Sequence, residues 1–182
     1  MSALPETIQT ERLALRPHHF DDVEDILAYA TDEEWSRYMP IPHPYHRNDA
    51  EDWIARQTIR DKEVHGAWAI VMEETVIGGI DLILTPMTNS GVLGYALSPA
   101  HGNKGMITEA VRTVCDCAFE NVAELNRIWA WADSRNAGSL RVMEKLGMTR
   151  EGCLRQHKVI RGELVDAVHG AILRAEWEKR RV

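Results

Sequence analysis

The pattern of apolar and polar residues predicts a chain that alternates between β-strands and helices. Residues 11–17 alternate, with Leu13 and Leu15 on one side, which is typical of a strand with one buried face. Six further apolar runs, bounded by turn residues, are also predicted to be strands: 67–72, 76–84, 92–98, 127–133, 148–157 and 164–173. Gly78 and Gly79 interrupt the third of these seven strands, which indicates a bulge there.

Apolar residues spaced three and four apart predict helices between these strands. The clearest stripe begins shortly after the fourth strand and consists of Ile107, Ala110, Val111, Val114 and Ala118. We expect that helix to end near Asn121. Other helices are predicted to start near Asp21 and Asn48, and a short one lies between Asn136 as N-cap and Gly147 as C′ residue. Three segments remain. Residues 32–34 form an acidic cluster, residues 39–45 are predicted to be an irregular loop, and residues 175–182 are predicted to be a helical or frayed tail.

The order of these elements predicts a mixed sheet. It is β-α-α-β-β-β-α-β-α-β-β, and the helix between the fourth and fifth strands is a crossover that requires those two strands to be parallel. The chain has 182 residues, of which 45% are apolar, so we expect one α/β (α+β) domain over residues 1–182 with a substantial core. Open α/β sheets bind ligands at the carboxyl ends of parallel strands.

Composition narrows the classes of function. The net charge of −7 argues against non-specific nucleic-acid binding, which needs a basic surface. No apolar run is long enough to span a bilayer, and residues 1–10 lack the apolar core of a signal peptide. Cys115, Cys117 and Cys153 do not have a zinc spacing, so we interpret them as reduced thiols in a cytoplasmic protein. His43 and His46 have no third metal ligand nearby, and we expect no metal site.

The segment that joins the fourth strand to its crossover helix is a candidate anion site. It contains Gly102 and Gly105, and small residues let an anion approach the backbone closely. The first turn of the helix supplies unpaired N–H groups and a partial positive charge, and Lys104 adds a formal one. This segment has neither the Walker spacing nor the dinucleotide-binding spacing of glycines, and a Gly-x-x-Gly pair can also be only a tight turn.

Three motifs, in order and spacing, carry a wider resemblance. They are 94–99 (Gly-Tyr-Ala-Leu-Ser-Pro), 104–110 (Lys-Gly-Met-Ile-Thr-Glu-Ala) and 136–148, which contains Asn-Ala-Gly-Ser and Glu-Lys-Leu-Gly-Met. Together they resemble the GNAT superfamily of N-acetyltransferases. The opening 10–17 (Thr-Glu-Arg-Leu-Ala-Leu-Arg-Pro), Asp166 and Glu176-Trp177 fit its RimJ/RimL-like branch, which acetylates the N-termini of ribosomal proteins.

The resemblance implies a fold and a co-substrate. The GNAT fold is a mixed, mostly antiparallel sheet of about seven strands, flanked by about four helices, in which strands 4 and 5 splay into a V. Acetyl-coenzyme A extends its pantetheine arm into that V along the unpaired edge of strand 4. The residues that the resemblance assigns to the coenzyme are Leu97, Gly102, Asn103, Lys104, Gly105, Met106, Ile107, Thr108, Asn136 and Ser139.

Individual roles follow from the same resemblance. The N–H groups of residues 104–108 would hold the diphosphate, a backbone N–H near Leu97 would stabilise the oxyanion, and Asn136 would contact the pantetheine arm. Asn103 replaces a usual glycine, and asparagine tolerates the left-handed conformation better than most residues. Ile107 replaces a usual alanine and is expected to crowd the phosphates slightly.

Ser139 matches the family serine near the thioester sulfur, where it would donate a proton to the departing thiolate. Many members of the superfamily use a nearby tyrosine instead, but residues 138–145 contain none. Ser139 is therefore the predicted catalytic residue. The alternative is that its hydroxyl only makes a local hydrogen bond in the first turn of a helix.

The acceptor side is less defined by the sequence. Trp35, Tyr38 and Tyr45 lie in or beside the loop that lines the acceptor in this family, and they either form an aromatic wall or only pack the loop onto the body. The family often has a glutamate as base near the start of strand 4, but Val92 occupies that place here. The base is left unassigned. Three carboxylates are candidates, although each is better explained as a solvated surface group: Asp81, Glu33 and Glu34.

The missing glutamate favours an amine that loses its proton easily. An α-amino group with a pKa near 8 is about one-tenth neutral at pH 7, whereas a lysine with a pKa near 10.4 is about 0.04% neutral. We predict a cytoplasmic N-acetyltransferase, monomeric or homodimeric, that transfers acetyl groups directly to protein N-termini. The alternatives are an enzyme that acetylates a small amine and a non-catalytic sensor of acyl-coenzyme A.

Overall fold

The computed structural model describes residues 4–180, in which eight strands form one sheet with helices on both faces. The strands are β1 Ile8–Gln9, β2 Ala14–Arg16, β3 His65–Met72, β4 Thr75–Thr85, β5 Ser90–Leu97, β6 Arg127–Asp133, β7 Thr149–Ile160 and β8 Glu163–Leu173. The helices are α1 Val23–Ala30, α2 Glu33–Ser36, α3 Arg47–Thr58, α4 Met106–Asn121, α5 Ala137–Leu146 and α6 Arg174–Lys179. Short 3₁₀ turns cover Phe20–Asp22, Pro86–Thr88 and Pro99–His101.

The sheet confirms the predicted architecture with one small correction. Its order is β1-β2-β3-β4-β5-β6-β8-β7, and every adjacent pair within residues 4–180 is antiparallel except β5 and β6. The eighth strand is β1, whose two residues are too few to produce a visible alternation. The predicted bulge is present, because the β3–β4 register shifts between Ile70 and Val71, opposite Gly78.

The helices also follow the predicted boundaries, with one addition. Helix α4 ends at Asn121, and α5 lies between Asn136, whose side chain accepts a hydrogen bond from the N–H of Ser139, and Gly147, which is left-handed. The sequence predicts only an acidic cluster before the proline-rich loop, but helix α2 forms there because the Asp32 carboxylate caps it. No helix in the described part of the chain is long and apolar enough to cross a membrane.

The sheet separates two apolar cores. On one side, called the α4 face, helices α4, α5 and α6 cover a cluster that includes Trp68, Ile80 and Leu93. On the other side, called the α1 face, helices α1 and α3 pack onto Ala69 and Val76. Because successive side chains of a strand point to opposite faces, each strand contributes to both sides of the molecule.

Strands β5 and β6 pair only at their beginnings and then diverge. Residues 90–92 of β5 pair with 127–129 of β6, whereas 93–97 and 130–133 have no ladder partner across that edge within the described sheet. This confirms the predicted V. The divergence leaves a gap towards the carboxyl ends of the two parallel strands, directly beside the start of α4.

Candidate active site

The loop before α4 presents backbone donors at the mouth of the gap. Asn103 and Gly105 are both left-handed, with φ of 59° and 78°, and Gly105 is the N-cap of the helix. The first hydrogen bond of the helix is donated by the N–H of Glu109 to the carbonyl oxygen of Gly105. The N–H groups of residues 106–108 therefore have no partner inside the helix and are available to an anion. This arrangement fits a diphosphate.

The side chains of this loop leave room for the anion. The Lys104 ammonium folds back and donates to the carbonyl oxygen of Ala100 at 3.0 Å, so its charge stays beside the loop. Met106 is buried, and Ile107 packs against the core of the α4 face. The site therefore consists mainly of backbone N–H groups, and Lys104 contributes its charge from the rim.

Glu109 fixes this loop to the start of the chain. Its carboxylate accepts hydrogen bonds from the Thr10 hydroxyl at 2.6 Å and from the Arg12 Nε at 2.7 Å. Arg12 also donates to the carbonyl oxygen of Lys104 at 3.0 Å. Burial acts to raise the pKa of Glu109, but these hydrogen bonds outweigh it and lower the pKa below its ordinary value. Two distant motifs, 10–17 and 104–110, thus meet in one interaction.

Glu109→Gln is expected to weaken coenzyme binding about tenfold, because a charge-assisted hydrogen bond is worth about 1.5–3 kcal/mol and part of that energy holds the loop in place. Isothermal titration calorimetry with coenzyme A would measure the change. Glu124→Gln, at an exposed position beyond the end of α4, is the matched control and should bind normally. Equal affinities of the two variants would contradict a role for Glu109 in shaping the loop.

The gap is lined by one edge of β5. The N–H of Ser98 donates to the carbonyl oxygen of Ile77 at 2.7 Å, so Ser98, and by alternation Gly94, direct their backbone groups towards β4. Tyr95 and Leu97 therefore direct theirs towards the gap. Their free N–H groups lie where the resemblance places the pantetheine arm and the oxyanion.

Trp35 reaches this edge from the acceptor side. Its indole Nε1 donates to the carbonyl oxygen of Leu97 at 2.7 Å, and its ring packs edge-on against Tyr29. One of the three predicted acceptor-side aromatics thus touches the strand that borders the gap. The Leu97 carbonyl is occupied by this contact, while its N–H remains directed into the gap.

Ser139 and Tyr95 meet on the other side of the gap. The Ser139 hydroxyl donates to the Tyr95 hydroxyl at 3.0 Å, and the Tyr95 hydroxyl donates to the carbonyl oxygen of Ser139 at 3.1 Å. Burial raises the pKa of Tyr95 to about 12, so the phenol stays protonated at neutral pH. Asn136 uses its side-chain oxygen to cap α5 at the N–H of Ser139. This leaves its amide nitrogen for a ligand.

Tyr95 is a site residue that sequence reasoning missed, because a tyrosine was expected only within residues 138–145. A signal for it was present. Tyr95 alternates with Leu93 and Leu97, so its side chain had to point to the face that the crossover helix and the following helix cover. Its phenol therefore approaches Ser139 from a strand instead of from the same helix.

The acceptor side of the gap is bridged by charged side chains. Arg161, in the turn between β7 and β8, donates to the backbone carbonyl of Glu33 at 3.0 Å and to the hydroxyl of Ser36. The Arg135 guanidinium lies 5.8 Å from the centre of the Tyr38 ring. Helix α2 and its flanking residues are therefore joined to the β6–β8 side, across the mouth of the V.

The third predicted aromatic has a different environment. Tyr45 packs against the core of the α1 face, near Tyr29, and burial raises the pKa of its hydroxyl to about 12. Trp35 and Tyr38 thus contact groups beside the gap, while Tyr45 packs against the core of the α1 face. An acceptor role for these residues stays a prediction.

The carboxylates near the gap differ in their availability. Asp133, at the end of β6, is buried, and the Arg135 guanidinium bound to it lowers its pKa. Glu33 and Glu34 lie on α2 with exposed side chains. Asp81 lies on β4 beside β5 and is partly exposed. Within residues 4–180, no group of three or more His, Cys, Asp or Glu side chains is arranged to hold a metal ion.

The chain is similar to known acetyltransferases in sequence and in fold. The model of the acetyltransferase (GNAT) domain family matches residues 12–149. The chain is 32% identical to the uncharacterized N-acetyltransferase p20 of Bacillus licheniformis over 178 residues, which cover 94% of this chain and 98% of p20. A GNAT-family acetyltransferase structure from Bacillus anthracis has a TM-score of 0.82 at 26% identity and covers 93% of this chain and 99% of that one.

A more distant structure shares the fold. It is RimL, described as a ribosomal L7/L12 alpha-N-protein acetyltransferase in complex with coenzyme A. Its TM-score is 0.79 at 14% identity, with coverage of 94% of this chain and 97% of RimL. At that identity the likeness concerns the fold alone.

Proposed function

Since the chain belongs to the acetyltransferase (GNAT) domain family, and is therefore an acetyl-coenzyme A-dependent acyltransferase, we propose that its acceptor is the α-amino group of a protein N-terminus. We further propose that this acceptor is of the ribosomal-protein type. Transfer occurs by direct attack of the amine on the thioester in a ternary complex. The cytoplasmic location expected from the sequence belongs to the same proposal.

The gap between β5 and β6 carries this proposal. Its α4 face holds the loop before α4, residues 102–105, and Ser139, whereas its α1 face holds partly exposed residues such as Ala96 and Trp131. The coenzyme therefore enters from one face and the amine from the other, and they meet at the free edge of Tyr95 and Leu97. A covalent intermediate on the enzyme is not needed, because both substrates reach the same gap.

Each part of the site has a defined role in this reaction. The N–H groups of residues 106–108 bind the diphosphate, and the N–H groups of Tyr95 and Leu97 bind the pantetheine arm and the carbonyl oxygen. Ser139 donates to the departing sulfur. The acceptor choice is supported by the 10–17 and 136–148 motifs of the RimJ/RimL-like branch, and by Val92, which stands where the family often has a glutamate.

A thiol-release assay with acetyl-coenzyme A would test the acceptor. We expect peptides with a free N-terminus to release thiol and to gain one acetyl group at that amine, as read by mass spectrometry. The matched peptides carry a blocked N-terminus and a free internal lysine, and we expect these to react far more slowly at pH 7, because few lysine amines are neutral.

Other results would point to the alternatives. Faster release with polyamines, amino acids or aminoglycosides than with any free N-terminus would identify a small-molecule acetyltransferase. Tight coenzyme binding without acceptor-dependent release, across the whole panel and at pH 7 to 9, would identify a sensor. Either result would overturn the proposed acceptor.

A further inference from the structure

One carboxylate on the acceptor side lies against β5, the strand that borders the gap. Asp81 of β4 pairs with Gly94 of β5, and both belong to the α1 face, because their neighbours Ile80 and Leu93 belong to the core of the α4 face. Gly94 immediately precedes Tyr95, whose backbone faces the gap. The Asp81 side chain is 36% exposed, so a ligand can reach it.

Gly94 provides the space that the carboxylate uses. A Cβ atom built on Gly94 would lie 2.4 Å from the Asp81 Oδ1, which is closer than two unbonded atoms approach. The carboxylate therefore extends over β5 at Gly94, the one α1-face position of that strand that has no side chain. From there it reaches from β4 towards the edge at which the amine attacks.

The neighbours of Asp81 leave its oxygens free to accept a proton. On β3, the His65 Nε2 lies 3.7 Å from the Asp81 Oδ2, beyond hydrogen-bond distance. Arg60, in the segment after α3, lies 3.0 Å from that same His65 nitrogen, which must then be its acceptor. Gly94, the facing residue of β5, has no titratable group. Within residues 4–180, no hydrogen-bond donor holds the Asp81 carboxylate.

The other carboxylates near the gap are less suited to this role. The Asp133 carboxylate is fully buried and held by two hydrogen bonds from the Arg135 side chain. Asp166 accepts a hydrogen bond from the N–H of Gln156 in the β7 bulge. Glu33 is largely exposed on α2 and lies beside His43. Asp81, in contrast, can be reached by a ligand, lies against the strand that borders the gap, and has a carboxylate that accepts no hydrogen bond within the described residues.

We propose that Asp81 is the catalytic base that takes the proton from the acceptor amine, an inference that rests on the proposed function. The ammonium gives one proton to the carboxylate, and the nitrogen lone pair forms the C–N bond to the acetyl carbon while the C–S bond breaks. The second proton leaves nitrogen as the amide forms and reaches the thiolate through Ser139. Asp81 then releases its proton to water, so that one amide, one thiol and one proton result.

Asp81→Asn tests this role through the pH dependence of kcat/KM. Without the base, only the neutral amine reacts, which is about one-tenth of an α-amine at pH 7. With a free-N-terminal peptide we expect about a tenfold loss at pH 7 that disappears above pH 9. A variant-to-wild-type ratio that stays constant between pH 7 and pH 9.5, or that equals one throughout, would overturn the assignment.

Two further variants separate a chemical role from a structural one. Asp52→Asn, at an exposed position on α3, is the matched control and should keep the wild-type profile. Gly94→Ala keeps Asp81 but pushes its carboxylate aside, and we expect a similar pH-dependent loss. In the double variant Asp81→Asn/Gly94→Ala the losses should not multiply. Multiplied losses would mean that the methyl group blocks the site by itself, which would contradict the inference that Gly94 acts by making room for the carboxylate.

The two proposals fail in different ways. If wild-type protein transfers no acetyl group to any free N-terminus, the proposed acceptor is wrong, and the Asp81 profile is then measured with whichever amine reacts. If wild-type protein acetylates N-termini and Asp81→Asn matches it at every pH, only the base assignment is wrong. Coenzyme A affinity and thermal melting, equal in all variants, would exclude misfolding as the cause of a loss.

Discussion

Gly105→Glu is expected to abolish coenzyme binding, with an affinity loss of about a thousandfold or more. Gly105 caps α4 in the left-handed conformation, with φ of 78°, next to the N–H groups of residues 106–108. A carboxylate there competes for the same donors and repels the diphosphate. Two like charges about 4 Å apart near a protein surface cost about 4 kcal/mol, which corresponds to about a thousandfold in affinity.

The control for this variant must place a glutamate at another left-handed glycine, so that the loss of stability is similar, but at a distance from the proposed anion site. Gly162 meets that condition, because its φ is 79° and a Cβ built there has no atom within 4 Å. It lies in the turn between β7 and β8, so Gly162→Glu should lose similar stability and still bind coenzyme A. Calorimetry would measure binding, and thermal melting would measure stability. Retained affinity in Gly105→Glu would contradict the proposal that the loop before α4 binds the diphosphate.

The conformation of the loop before α4 could be predicted from the sequence because its determinants are local. A strand that ends before Pro99, glycines at 102 and 105, and an apolar stripe from Ile107 fix a strand, a turn and a helix within some 30 residues. The N-cap at Asn136 and the left-handed Gly147 were predictable for the same reason. In each case the chemistry of neighbouring residues determines the backbone conformation.

The parts that the sequence did not reveal depend on contacts between distant residues. Helix α2 has only four residues, and its contacts beyond the cap are with residues far along the chain. Its Trp35 donates to the carbonyl oxygen of Leu97, and Arg161 donates to the carbonyl oxygen of Glu33. The space that Asp81 occupies exists because the facing residue on a neighbouring strand is glycine. The register between two strands decides which residues face each other. The alternation of apolar and polar residues within one strand does not reveal that register.

The pairing of Ser139 with Tyr95 is another such contact, and it leads to a second prediction. Ser139→Ala is expected to lower kcat by about one to two orders of magnitude, the usual size of the loss of a general acid, while coenzyme affinity stays nearly unchanged. Ser134→Ala, at an exposed position in the loop after β6, is the matched control. Stopped-flow thiol release would measure the rate, and unaltered turnover would remove the role of Ser139.

Tyr95→Phe distinguishes a relay from a lone serine. The variant keeps the ring in the core and removes the hydroxyl that accepts from Ser139, so the serine loses the partner that fixes its orientation. In a relay, Ser139 gives its proton to the sulfur, and the phenol then turns from the Ser139 carbonyl oxygen to replace that proton. In that case Tyr95→Phe should lower kcat, and adding it to Ser139→Ala should cause no further loss, because both variants interrupt one chain. If the phenol donates directly to the sulfur, the double variant should be slower than either single one. Equal rates of Tyr95→Phe and wild type would leave Ser139 as the sole donor, with Tyr95 only filling space beside it.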